Sequence, residues 1–335
     1  MNIIATGFEP EPSQPSLIEQ LRRHYVATGD DAEFLRHLAR ILVAKDDGTL
    51  QLEPIRHGDE GDTRGVIVTA PPGAGKTRLV NAALDGLMEA TGTVMGDGHH
   101  PILRVTVPAP ATLKSLGCEL LASTGYHMMS MRQERWHIWS TVRHRFGVIG
   151  VKLLWLDEAQ HLMDRKAEVQ QALDTLKTLM QGPNAVAVVL SGVPELVRIA
   201  ATDQQIGRRF SQMKLTEGRS PGFARRVDRM IASYSKEAGL GTAKEPGLVE
   251  RLLHGVDGRF GLCVETVVDA IAHAMSRKAK VLERQHFAEA WGLGRGCAPA
   301  DNVFLAEAWG DTPPLGIPPS QVEEVKAKRK GRGRR

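Results

Sequence analysis

Five short runs of apolar residues punctuate the chain. They are Gly65 to Thr69, Ile102 to Val107, Val151 to Leu156, Ala185 to Leu190 and Phe210 to Leu215. The runs are nearly continuous rather than alternating, which suits strands buried on both faces of a parallel sheet. Helical spacing fills the gaps. Lys76 through Leu87 forms one helix, and Leu113, Leu116, Leu120 and Leu121 line a second. A third runs from about Met131 to Phe146 with Trp136, Trp139, Val142 and Phe146 along a core-facing side, and a fourth covers Glu168 to Met180. Strands alternating with helices predict an α/β fold with a five-stranded parallel sheet.

The flanks read differently. Ser16 and Glu19 form a capping box for a first short helix with Leu17, Ile18, Leu21 and Tyr25, and Asp31 caps a second with Phe34, Leu35, Leu38, Ile41 and Leu42. Lys45 to Arg64 is polar and Gly/Asp-rich, a linker or loop. From Gly218 onward the pattern is helical. Leu248, Val249, Leu252, Leu253 and Val256 make one face, Val264, Val267, Val268, Ile271 and Met275 another, and a last helix starts near Glu283. The expected division is an N-terminal extension (1–64), an α/β core (65–217), a helical lid (218–294) and a disordered, Pro-containing basic tail (295–335).

The junction of the first strand and its helix carries the chemistry. Ala70-Pro71-Pro72-Gly73-Ala74-Gly75-Lys76-Thr77 fits a phosphate-binding loop, with Ala70 where the usual pattern has its first Gly. Gly73 and Gly75 let backbone N–H groups curl around phosphate oxygens, and the helix N-terminus adds unsatisfied donors and positive dipole. Lys76 can reach the β- and γ-phosphates, and Thr77 can hold Mg²⁺. Pro72, Ala74 and Arg78 complete the stretch expected around ATP.

Asp157 and Glu158 end the third apolar run, at the edge where open α/β sheets bind ligands. Asp157 is the expected Mg²⁺ partner, and Glu158 the expected base or orienter for attacking water. Ser191 ends the fourth run, placed to report the γ-phosphate. Arg208 and Arg209 close a helix just before the fifth.

Composition narrows the setting. The net charge is +4, but seven of the last ten residues are Lys or Arg with no acid, so the preceding 325 carry −3. Such a tail either attracts phosphate backbones or is simply a solvated end. Three scattered cysteines (Cys118, Cys263 and Cys297) form neither a disulfide framework nor a zinc site. Met1 to Pro15 lacks a secretory pattern and no apolar run approaches the roughly 18 residues of a membrane span, so the reading is a cytoplasmic protein without membrane association.

This order of motifs resembles the AAA+ ATPases. Its wording is similar to the TniB/TnsC-like ATPases of DNA transposition over roughly residues 15–292, through Ala70–Thr77, Leu156-Asp157-Glu158-Ala159-Gln160-His161-Leu162, Leu190-Ser191-Gly192-Val193-Pro194-Glu195-Leu196 and Arg208-Arg209-Phe210. The resemblance implies an AAA+ P-loop fold, ATP hydrolysis with Mg²⁺, and a ring or helical filament on duplex DNA that presents the target to a DDE transposase. It makes Ser191 the sensor 1 residue, Arg209 the arginine finger with Arg208 as substitute, and Arg259 the sensor 2 residue. Lys114 falls where the wider initiator-like branch touches DNA, or is an ordinary solvated lysine. Alternatives are a similar ATPase working in secretion or partner remodelling, and an ATP-gated DNA scaffold with negligible hydrolysis. The intact Glu158 speaks against the scaffold. A DEAD/DEAH helicase would need a second RecA-like domain, for which 335 residues leave no room.

Overall fold

The computed structural model describes residues 16–93, 99–126, 134–163, 166–216, 218 and 221–316. The basic run from Lys326 to Arg335 lies outside them. Helix α1 (Leu17–Arg23) opens on the anticipated box, with the Ser16 side chain accepting from Glu19 N–H and the Glu19 carboxylate accepting from Ser16 N–H at 3.0 Å. In α2 (Gly29–Leu38) the cap is Thr28 rather than Asp31. Asp31 is the return half of the box and accepts the Thr28 N–H at 2.6 Å.

The stretch expected to be a linker instead contributes an antiparallel hairpin, β1 (Leu42–Ala44) and β2 (Leu50–Pro54). Its turn is local chemistry. Asp47 accepts the Thr49 N–H at 2.8 Å, and Gly48 takes a φ of 83°. Leu50 and Leu52 then pack against the core.

The body follows as β3 (Gly65–Thr69), α3 (Lys76–Thr91), β4 (Ile102–Thr106), α4 (Leu113–Ser123), α5 (Arg135–Ile149), β5 (Leu153–Asp157), a 3₁₀ turn (Ala159–Met163), α6 (Lys166–Leu179), β6 (Ala187–Gly192), α7 (Glu195–Ala200), α8 (Gln204–Arg209) and β7 (Phe210–Lys214). The five central strands pair in the order β4-β5-β6-β3-β7, all parallel. Both faces are covered. Val66 and Val68 join Phe34, Leu38, Leu79 and Leu84 on one side, while Ile67 faces Leu103, Leu154, Leu190 and Phe146 on the other. Because β3 lies beside β6, and β6 beside β5, the C-terminal ends of those three strands are neighbours.

Helix α5 corrects one expectation. Val142 and Phe146 are buried, but Ile138 holds the inward position and Trp136 is 71% exposed. Two residues along a helix is about 200° of rotation, so Trp136 cannot share the face of Ile138. Trp139 is half-buried and donates its indole N–H to the Leu113 carbonyl at 3.1 Å.

The chain divides into two compact units, residues 27–216 and a second made of 1–26 with 217–335. The two N-terminal helices therefore part company. Leu21 of α1 is packed in the second unit's core, while Phe34 and Leu38 of α2 join the first. That second unit also holds α9 (Pro221–Glu237), β8 (Gly241–Thr242), α10 (Leu248–Gly255), α11 (Phe260–Ser276), β9 (Val281–Leu282) and α12 (Arg284–Arg295).

The unit does not stop at 294. Phe304 and Val303 are buried in its core, Asn302 Nδ2 donates to the Ala288 carbonyl at 2.8 Å, and Arg251 Nη1 donates to the Val303 and Ala306 carbonyls at 2.8 and 2.7 Å. His254 Nε2 donates to the Thr312 carbonyl at 2.8 Å. Residues up to 316, expected to be disordered, form a strap on the helices of this unit. Pro313, Pro314, Pro318 and Pro319 read as a linker, but the Phe304 ring, packed against Phe287 and Trp291, supplies the anchor. Replacing Asn302 by Ala removes the side-chain bond to the Ala288 carbonyl, which lies within α12 and keeps its helical bond, and leaves the Phe304 N–H, now paired at 3.0 Å with Asn302 Oδ1, without that acceptor. We expect a loss of about 1–3 kcal/mol in denaturant unfolding; no loss would show that the strap adds nothing.

Candidate nucleotide site

The phosphate-loop sequence lies directly after β3, and its backbone explains its composition. Gly73 and Gly75 have φ of 76° and 101°, a region costing an L side chain about 1–2 kcal/mol. Gly75 is the N-cap of α3 and offers no side-chain oxygen, so the first-turn N–H groups of a 16-residue helix have no side-chain cap. Uncapped donors with the positive end of the dipole make an anion cradle. Lys76 is buried, and its Nζ donates to the carbonyls of Ala70 at 3.0 Å and Pro71 at 3.4 Å. Thr77, Pro72 and Arg78 lie at the exposed rim.

Asp157 gathers the site. It is 6% exposed, and its carboxylate accepts from Thr77 Oγ1 at 2.6 Å, Ser191 Oγ at 2.6 Å and the Glu158 N–H at 2.9 Å. These donors arrive from α3, from β6 and from the residue just after β5, and β5 and β6 are in register through Leu156 and Leu190, one residue earlier. The buried Trp155 donates Nε1–H to Ser191 Oγ at 2.8 Å, which turns the serine proton toward Asp157. Ser191 is thus fully buried against the carboxylate. Thr77 and Asp157 offer adjacent hard oxygen atoms, a donor set suited to Mg²⁺.

Glu158 is half-buried with a φ of 54°, unusual for a residue with a side chain. One oxygen of its carboxylate accepts from Gln160 Nε2. Gln160 was only part of a phrase in the sequence; the signal available there was a polar amide two residues past a strand-end acid.

The two arginines part as well. Arg209 Nη2 pairs with Asp62 Oδ2 at 2.5 Å, and its side chain is 16% exposed. Asp62 sits in a turn closed by backbone bonds to His57. Arg208 is exposed at the end of α8. Arg259 belongs to the other unit, where it is the N-cap of α11 and lies 3.5 Å from Asp257. Lys114 is half-buried in the first turn of α4.

Helix α8 is anchored by Asp203, whose Oδ1 accepts from the N–H groups of Gln205 at 2.8 Å and Ile206 at 3.1 Å. Its Oδ2 accepts from Lys177 Nζ at 2.6 Å and Gln170 at 3.0 Å. The Lys177 hydrogen bond, against the cost of burial, holds the Asp203 carboxyl far below the ordinary carboxylate range. A depressed folded pKa contributes stability that is complete above the unfolded value, near 3.9, and fades as pH falls from there toward the folded one. Asp203→Ala is expected to cost about 1–3 kcal/mol at neutral pH. The gap to wild type should stay constant from about pH 8 to 5 and narrow by about pH 3. A gap of constant size down to pH 3 would contradict the pairing.

Comparison with known proteins follows the same outline. A family model described as bacterial TniB protein matches residues 51–219. Among solved structures, the chain is similar to the ORC2 protein of Aeropyrum pernix in ADPNP–ADP complexes, with 12% identity, a TM-score of 0.56, and 84% of this chain and 75% of that one covered. It is similar to Cdc6p of Pyrobaculum aerophilum, with 11% identity, a TM-score of 0.59, and 82% and 70% covered. The ORC1 protein of A. pernix, solved in complex with DNA, matches with 15% identity, a TM-score of 0.59, and 81% and 66% covered. At such identities the likeness concerns the fold, the AAA+ α/β architecture with its five-stranded parallel sheet. No curated protein matches the chain. Among the described residues no helix is long and apolar enough to cross a membrane.

Proposed function

The chain belongs to the TniB family, whose model spans residues 51–219, and from that premise we propose that it is an ATPase that assembles on duplex DNA and regulates a DDE transposase. The observation that carries the nucleotide part is the Asp157 carboxylate bonded at once to Thr77 and Ser191, beside an uncapped helix N-terminus. The transposition part rests on the family match.

In this reading the N–H groups from Gly73 to Thr77 bind the phosphates, flanked by Pro72, Ala74 and Arg78, and Lys76 exchanges its carbonyl partners for β- and γ-phosphate oxygens. Thr77 and Asp157 would hold Mg²⁺, which when bound neutralises charge on the phosphate oxygens. Glu158 takes a proton from water as its oxygen bonds to the γ-phosphorus and the bond to the ADP oxygen breaks. Ser191 acts through Asp157, whose oxygen it holds. The arginine reaching a neighbouring subunit's nucleotide is Arg208, since Arg209 is held by Asp62. Arg259 of the other unit remains the proposed sensor 2. Assembly as a ring or helical filament follows from a finger supplied in trans, and action in the cytoplasm from the need to reach DNA.

Filter retention of duplex DNA tests the main claim. ATP should promote retention of the wild type; Lys76→Ala should lose it together with ATP binding. Glu158→Gln should keep binding and retention while turnover falls by about 10²-fold or more. Folded, nucleotide-binding protein whose DNA retention ignores ATP would defeat the proposal.

The two arginines separate by their readouts. Arg208→Ala should cut turnover by about 10³-fold, the low end for an arginine finger, without changing the melting temperature. Arg209→Ala should lower the melting temperature, because it leaves Asp62 half-buried without its partner. Equal melting losses for both would refute this division.

A further inference from the structure

The carboxylate of Glu158 is not left to find its own orientation. Gln160, two residues on in the 3₁₀ turn, donates Nε2–H to Glu158 Oε2, and its Oε1 accepts the backbone N–H of Val193 at 3.2 Å. The Val193 N–H can only donate, so the amide oxygen must face it and the NH₂ must face the carboxylate. The orientation of the amide is therefore set by its partners.

Gly192 supplies an independent observation. A Cβ there would lie 2.4 Å from Gln160 Oε1, closer than real contacts allow, so the glycine admits the amide. The end of β6 thereby holds both acids of the site. Ser191 reaches Asp157 through its hydroxyl, and Val193 reaches Glu158 through Gln160.

We propose that Gln160 is a positioning residue for hydrolysis, clamping the Glu158 carboxylate to the end of β6 so that its other oxygen is aimed for proton abstraction. The proposal rests on the reading of Glu158 as the base. Gln160 touches neither water nor nucleotide in this role; it fixes the rotamer of the group that does. A misaimed base loses rate without losing substrate affinity.

The test is steady-state ATP hydrolysis by the full chain with Mg²⁺ and duplex DNA, supported by ATP-binding and melting measurements on each variant. Gln160→Ala should lower kcat about tenfold to a hundredfold, with KM for ATP within about twofold. Gln160→Glu, which loses the donor and sets a second carboxylate against Glu158, should be lower still. Gly192→Ala should lower kcat by displacing the amide. The double variant Gln160→Ala/Gly192→Ala should be no slower than Gln160→Ala alone, because the added methyl no longer has an amide to displace. Multiplying losses in the double variant would overturn the proposal, as would a kcat of Gln160→Ala within twofold of wild type or a loss confined to KM. Glu158→Gln separates the two levels. If it is inactive while Gln160→Ala is unimpaired, only the clamp fails; if it turns over fully, the base assignment fails and the clamp with it.

Discussion

A carboxylate nearly closed off from water is tolerable only when its oxygens are occupied, and Asp157 sets that requirement for the first unit. Its donors come from the helix after β3, from the end of β6 and from its own strand's next residue. No two of these are near in sequence except the last. The parallel order of the sheet, which seats β6 between β3 and β5, brings them together. Trp155 extends the requirement one step further. A buried indole N–H needs an acceptor, and Ser191 Oγ is both its acceptor and the donor to Asp157. Trp155, an apolar-looking strand position, thus belongs to the polar centre.

Packing at the other edge of the sheet decides the arginines. Gly65 opens β3, and a Cβ there would lie 2.4 Å from both the Phe210 ring and the Val188 carbonyl. Phe210 therefore enters the space that Gly65 vacates and pins the start of β7 beside β3. With Phe210 turned inward, the residues before it diverge. Arg209 reaches Asp62 from partial burial, and Arg208 is left at the surface. The preference for Arg209 as the finger rested on its adjacency to Phe210, and that same adjacency draws it into the fold.

The strands and the phosphate loop were legible because each obeys a local rule: continuous apolar runs for strands buried on two faces, glycine where φ must be positive. Asp157 was legible as a strand-end acid. What escaped depended on partners distant in the chain. Asp62 lay in a stretch whose polarity suggested a linker, and its role appears only through Arg209. The strap after Gly296 escaped because its prolines and exposed polar residues suggested a linker, yet Asn302, Val303 and Phe304 anchor it in the core. Ser191 stands at the expected strand end, but its bonds to Asp157 and Trp155 were not legible, since they depend on a rotamer and a neighbouring strand that spacing does not contain. Trp136 failed for a simpler reason, a stripe drawn across two helix faces.

The backbone at Glu158 shows how these constraints meet. A left-handed φ costs a residue with a side chain about 1–2 kcal/mol, and a strand that simply continued would avoid it. Continuing would swing the Glu158 side chain and carbonyl elsewhere, and the turn that follows would lose the His161 N–H bonded to the Glu158 carbonyl at 3.1 Å. The strained conformation therefore aims successive groups of one residue at different tasks. Its N–H completes the satisfaction of Asp157, its carbonyl closes the 3₁₀ turn, and its side chain meets the amide of Gln160. Strain of this size persists where surrounding contacts over-determine the geometry, and three partners, Asp157, Gln160 and His161, do so here. The two acids of the site are adjacent in sequence but are held by separate atoms of the same strand end, so a displacement of β6 would move both together.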